Sequence, residues 1–263
     1  MKRLIRPLLG LLLAVTLASA RADDGLMTGE WTVAGVRREA LLHVPADAGS
    51  RAAPVVFVFH GHGGSMRQAA ASYPVHRLWP EAIVVYPQGL PTAGRLTDPA
   101  GRENGWQSGP GTEGDRDLKF FDAMLHRLRA DYRVDDRRIY AMGHSNGGGF
   151  TYLLWATRRD EFAAFGPSAA VAGRNFGRLR PAPAVVIAGE HDELVKFAWQ
   201  QLMIGELRRI NQCGPGRPDG PGGTLYDSKI GAPLLTYIHA GTHRYPPEAT
   251  ALIVAFFKAH PAP

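Results

Sequence analysis

Between Pro54 and His60 the chain reads VVFVF, five apolar positions with no polar residue to mark an outward face. A continuous β-branched and aromatic run of that length predicts a strand buried on both sides, as in a parallel sheet. Comparable runs recur at 82–86, 138–142, 184–188 and 234–239. Between them the apolar period lengthens to that of a helix. Over 117–132 the residues Phe120, Phe121, Met124, Leu125 and Leu128 share one face, and further helices are predicted over 146–157, 194–210 and 247–260. Strand alternating with helix predicts an α/β chain with a mostly parallel, doubly wound sheet. Two earlier runs, 30–36 and 38–44, flank Gly35 and predict an antiparallel hairpin at the sheet edge.

Two stretches do not fit the alternation. Residues 88–114 are rich in Pro, Gly and polar side chains, and a loop of that length is expected to be functional or disordered. Residues 212–223, QCGPGRPDGPGG, read as a second, mobile surface loop. A chain of 263 residues with 45% hydrophobic content suits one well-buried catalytic domain, expected over 21–263.

The first twenty residues read as a signal peptide. Lys2, Arg3 and Arg6 precede an apolar stretch from Leu8 to Ala18, and Ala18-Ser-Ala20 offers a small-residue cleavage site. The stretch falls short of the roughly 20 residues of a membrane span, so the expectation is a secreted product, extracellular or periplasmic, with no stable membrane anchor. Cleavage after Ala20 lowers the formal charge from +6 to +3. With no basic run or nucleic-acid motif, no nucleic-acid partner is expected. Cys213 is the one cysteine in the chain, which excludes an intrachain disulfide.

The chemistry concentrates at RIYAMGHSNGGGF, residues 138–150. In a doubly wound sheet, ligands bind at the carboxyl ends of the strands. There Gly143-x-Ser145-x-Gly147 fits a nucleophile elbow, a sharp strand-to-helix turn that lifts the serine hydroxyl above an α/β-hydrolase sheet. Serine needs a base, and the base an orienting acid, in the chain order Ser, Asp or Glu, His. After the run 184–188 come Glu190, Asp192 and Glu193, of which Asp192 is the expected acid. After the last run comes His243, the expected base, while His239 lies in the strand and suits a structural role. An oxyanion needs preorganised donors. The backbone N–H of Asn146 and one from His60-Gly-His-Gly-Gly64, with His62 the expected residue, are placed to supply them. His60 and His62 also suit a metal by their spacing, but no acidic ligand lies near them in the sequence, and neither metal nor cofactor is expected. Trp106, in the long loop, either packs that loop onto the domain or lines a substrate cleft.

Several segments together resemble the secreted feruloyl esterase and polyhydroxybutyrate depolymerase group of α/β-hydrolases, related to carbohydrate esterase family 1. They are GVRREALLHVPA, VVFVFHGHGGS, VVYPQG, YRVDDRRIYAMGHSNGG, FAAFGPSAAVAG, AGEHDELVKF and GTHRYP, spread over nearly the whole chain after residue 20. The resemblance implies a serine esterase without cofactor, with nucleophile, acid and base on Ser145, Asp192 and His243. It implies an ester substrate, polysaccharide-linked or polymeric. Depolymerases of solid polyester in that group generally carry an added binding domain, whereas this chain ends at Pro263 soon after its last predicted helix. Soluble feruloyl or acetyl esters are therefore expected ahead of crystalline polyester. A polyester depolymerase, a general carboxylesterase, and a binding protein on a hydrolase scaffold are the alternatives.

Overall fold

The computed structural model describes residues 25–263; the expected signal segment and its cleavage site lie outside the described residues. The chain opens with β1 (Met27–Val33) and β2 (Val36–His43), joined at Ala34-Gly35, followed by β3 (Ala53–Phe59). Two short helices, α1 (Met66–Ser72) and α2 (Val75–Leu78), lead to β4 (Ile83–Pro87). A two-stranded ribbon, β5 (Leu90–Pro91) with β6 (Asn104–Gly105), precedes α3 (Arg116–Asp131). Then come β7 (Val134–His144), α4 (Asn146–Thr157), β8 (Ala164–Ser168), β9 (Ala184–Gly189) and α5 (Phe197–Ile210). The hairpin β10 (Cys213–Pro218) and β11 (Gly223–Ser228), then β12 (Leu234–His239) and α6 (Ala249–Ala259), complete it.

One ten-stranded sheet has the order β1-β2-β4-β3-β7-β8-β9-β12-β11-β10. Its centre, from β4 to β12, is parallel, and an antiparallel pair flanks it at each end. The apolar runs are explained by double burial. Val55, Phe57 and Phe59 face the side packed by α3, α4 and α5, whereas Val56 and Val58 face the side of α1, α2 and α6. The same alternation holds in β4, β7 and β9. Each such Val or Phe contributes about 1.5–3 kcal/mol on burial. Helix α4 is apolar nearly all round, and Phe150 to Trp155 are all buried, which is the pattern of a helix enclosed by the domain. No helix among the described residues is long and apolar enough to cross a membrane.

One expectation is corrected. Residues 212–223 are not a mobile loop: β10 and β11 pair there and extend the sheet to its far edge. Pro215 and Pro218 are tolerated because an edge strand has a free side that needs no N–H donor, and a register shift absorbs Gly214-Pro215. The segment 164–168 is a central strand, β8, although it contains Gly166 and Pro167.

The long segment 88–114 is fixed by a buried ion pair. Arg38 Nη2 donates to Asp117 Oδ1 at 2.9 Å and to the Gln88 carbonyl at 3.1 Å, and both charged side chains are essentially inaccessible. Asp117 Oδ2 accepts from the Gln107 N–H at 2.8 Å, while Gln107 Oε1 accepts from the N–H groups of Asp117 and Leu118. The Arg38 guanidinium also lies over the Phe120 ring, 4.2 Å from its centroid. Burial lowers the Arg38 pKa from its ordinary value, partly offset by Asp117.

Candidate active site

The strand order reverses at β3. The chain passes outward from β3 to β4, then returns across to β7 on the other side of β3. A crevice forms at such a switch point, beyond the carboxyl ends of the two strands. Those ends carry His60-Gly-His and Ser145.

Ser145 sits between β7 and α4 with φ 56° and ψ −120°, a left-handed conformation that costs an L-residue strain. Its neighbours show what imposes it. A Cβ on Gly143 would lie 2.5 Å from the carbonyl oxygen of Gly147, and one on Gly147 would lie 2.5 Å from the carbonyl oxygen of His60. The Ser145 N–H is anchored to the Ser168 carbonyl at 2.9 Å. Serine at a helix N-cap ordinarily turns its oxygen back onto the helix, but Ser145 makes no such cap. Its hydroxyl instead meets His243 Nε2 at 2.7 Å, and His243 Nδ1 meets Asp192 Oδ2 at 2.8 Å. The carboxylate can only accept, so Nδ1 carries the proton and Nε2 is left to accept from the serine hydroxyl.

Asp192 follows β9 and His243 follows β12, parallel neighbours in the sheet. Their loops are knitted together: Glu190 N–H donates to the His239 carbonyl at 2.8 Å, and His191 N–H to the Gly241 carbonyl at 3.0 Å. A Cβ on Gly189 would lie 2.5 Å from the Thr242 carbonyl oxygen, so glycine is needed where the histidine loop crosses. Asp192 is buried, whereas Glu190 and Glu193 face solvent. Asp192 Oδ1 accepts from the N–H groups of Leu194 and Val195 at 3.0 and 2.9 Å, and Oδ2 accepts from Gln200 Nε2 at 3.0 Å as well as from His243. His239 lies half-buried in β12, its Nδ1 accepting from the Gly241 N–H at 3.1 Å.

The sequence reading missed His144. Its ring is buried with its centroid 5.1 Å from that of His243, and Nδ1 lies 3.1 Å from the Ser168 hydroxyl. Burial, reinforced by His243, pushes its pKa down to about 4. A neutral ring there places no second charge beside His243. Gln200 was also missed, because a helical glutamine eight positions beyond an acid carries no sequence signal.

Gly61, which precedes His62, and Asn146, which follows Ser145, border the serine. A Cβ on Gly61 would lie 3.6 Å from Ser145 Cβ, which brings the 60–64 loop against Ser145. Asn146 opens α4, where first-turn N–H groups lack intrahelical partners. The His62 ring is engaged elsewhere, with Nε2 2.9 Å from the Thr92 carbonyl and Nδ1 3.0 Å from the Thr97 hydroxyl. The His60 ring bonds the Gly61 carbonyl and the Gly89 N–H. Both rings therefore tie loops together, and their nitrogens do not converge on a metal position.

Trp106 does not line an open cleft. It is 1% exposed, stacked on Phe150 and edge-on to Phe59, and its Nε1 donates to the His60 carbonyl at 2.9 Å. Of the two readings of this residue, packing is the one the structure supports, and a substrate-binding role for the ring is withdrawn. Its backbone holds Asn146, whose Oδ1 accepts from the Trp106 N–H at 2.7 Å and whose Nδ2 donates to the Trp106 carbonyl at 3.3 Å.

A parallel-centred sheet with a serine elbow after the strand beside its switch point defines the α/β-hydrolase fold, and this chain has it. Comparison with known proteins agrees. The chain is 27% identical over 157 residues to a bifunctional acetylxylan esterase/xylanase of Neocallimastix patriciarum, covering 55% of this chain and 21% of that protein. It is 26% identical over 193 residues to a protein of Aspergillus niger named probable feruloyl esterase C, covering 70% of this chain and 66% of the relative. The chain thus spans less than two thirds of the length of each. An acetyl xylan esterase structure from Aspergillus awamori superposes with a TM-score of 0.65 at 12% identity, covering 88% of this chain and 99% of that one. No family model matches the chain.

Proposed function

We propose that the protein is a secreted serine esterase that hydrolyses carboxylic esters, of feruloyl or acetyl type on polysaccharide fragments, through an acyl-enzyme. The observation that carries the reading is the unbroken hydrogen-bonded line from the Ser145 hydroxyl through His243 to buried Asp192. The names of the relatives, feruloyl esterase and acetylxylan esterase, support the substrate class.

In this reading Ser145 Oγ attacks the ester carbonyl while its proton passes to His243 Nε2. Asp192 stabilises the resulting imidazolium and keeps the ring oriented. The backbone N–H groups of Asn146, the residue after the serine, and of His62, the residue after Gly61, receive the oxyanion as preorganised donors. Collapse breaks the C–O bond to the alcohol, which takes the proton from Nε2 as it leaves. Water then gives a proton to Nε2, attacks the acyl-enzyme and releases the acid, and the proton returns to Ser145. The buried Arg38–Asp117 pair and Trp106 hold the loop that fixes Asn146. Residues 21–263 act as one catalytic domain, with 1–20 removed on export.

The test is labelling by a fluorophosphonate followed by mapping of the adduct, together with a panel of acetyl, feruloyl and hydroxybutyrate esters. An adduct on Ser145 and turnover of acetyl or feruloyl esters are expected. A protein that neither labels nor turns over any ester on the panel is a binding protein on this scaffold.

A further inference from the structure

Gln200 stands on the fourth residue of α5 and is buried at 1% exposure. Its two amide hydrogens are both spent: Nε2 donates to Asp192 Oδ2 at 3.0 Å and to the Val195 carbonyl at 2.6 Å. Its Oε1 is buried with no hydrogen-bond partner. An orphaned buried carbonyl is costly, and a leucine or methionine of similar size would avoid it. Turning the amide over gives no relief, because Oε1 would then face a carboxylate and a carbonyl, both acceptors. What the position supplies is therefore the pair of donors.

These bonds close a ring. Val195 N–H holds Asp192 Oδ1 at 2.9 Å, Val195 carbonyl holds the Gln200 amide, and the amide holds Asp192 Oδ2. The backbone bonds to Oδ1 alone leave the carboxylate free to swing about that oxygen. Gln200 removes that freedom at the oxygen that faces His243. We propose that Gln200 is a positioning residue for the ester hydrolysis, fixing Asp192 Oδ2 against His243 and tempering its charge. The proposal rests on the serine-esterase reading above.

The consequence is electrostatic as well as geometric. Each donor on Oδ2 disperses part of its charge, so losing the Gln200 donor strengthens the pull of Asp192 on the protonated His243 ring. The other titratable ring packed against His243 is His144, at the carboxyl end of β7, and it is neutral. Removing the amide should therefore move the acid limb of the pH–rate profile upward.

The experiment compares the full chain with Gln200→Leu, and with Gln200→Met should the branched side chain not fold. The readouts are kcat and KM for p-nitrophenyl acetate across pH, the thermal midpoint, and the fluorophosphonate adduct. The expected result is a kcat lower by on the order of 10- to 100-fold, KM within about twofold, and an acid limb shifted upward. The thermal midpoint is unchanged or higher because the orphaned carbonyl is gone. An unchanged kcat and pH profile, or a kcat loss that tracks the folded fraction with no shift of the profile, overturns the proposal. A parent protein that neither labels at Ser145 nor hydrolyses the ester overturns the serine-esterase reading, and this proposal with it.

Discussion

Gly147 lies so close to the end of β3 that a methyl group on it would sit 2.5 Å from the His60 carbonyl oxygen, whereas a methyl on Gly149 would meet nothing within 4 Å. The cluster of glycines around the serine is therefore not uniform. Gly147→Ala must push β3 away from α4 and is expected to lower the thermal midpoint and abolish turnover. Gly149→Ala is expected to stabilise the fold by about 0.5–1 kcal/mol, the usual helix gain of alanine over glycine. Denaturant melts of the two variants check this, and equal losses would show that the elbow needs every glycine.

The ion pair under the long loop gives a second outcome. Arg38→Ala leaves the Asp117 carboxylate buried beside the loop it anchors, and loss of one partner of a buried pair costs about 3–5 kcal/mol. Urea unfolding should show a loss of that size, with new protease cleavage inside residues 88–114. A variant within about 1 kcal/mol of the parent, still resistant to protease, contradicts the anchoring role.

Much of this architecture was legible because double burial writes itself as unbroken apolar runs. The five strands read from such runs, 54–60, 82–86, 138–142, 184–188 and 234–239, all lie in the parallel centre of the sheet. What escaped was decided by tertiary context. β10 is rich in Gly and Pro and is a strand only because it pairs at an edge with β11. β8 is central despite Gly166 and Pro167, since β7 and β9 flank it. Within the site, Ser145, Asp192 and His243 were placed by chain order and by their positions after apolar runs, and the structure brings them within hydrogen-bonding distance. The loops that hold them were not legible. Arg38 meets Asp117 across 79 positions, Gln107 and Gln200 reach Asp117 and Asp192 over 10 and 8 with no periodic pattern to mark them, and Trp106 resolved to packing only once its burial was seen.

His144 links the site to acid stability. Its pKa is lowered to about 4 from an ordinary 6.5, so below pH 6.5 the unfolded chain binds a proton there that the folded chain refuses. The sign follows: this group's contribution is intact above pH 6.5 and is lost as pH falls toward 4. The loss reaches about 3 kcal/mol at most, at 1.36 kcal/mol per unit. Replacing the ring by His144→Asn removes that dependence. Stability measured by urea at pH 7, 5.5 and 4.5 should fall more steeply in the parent than in the variant, and parallel curves would rule out a neutral buried ring.

The central claim is that Ser145 is the nucleophile, and the turnover of Ser145→Ala tests it most directly. One hydroxyl at a partly exposed elbow contributes little to packing, so the thermal midpoint should stay within a few degrees of the parent. Turnover of acetyl or feruloyl esters should fall by at least about 10⁴-fold, and the fluorophosphonate adduct should vanish. A folded Ser145→Ala protein that keeps turnover within about tenfold of the parent contradicts the account.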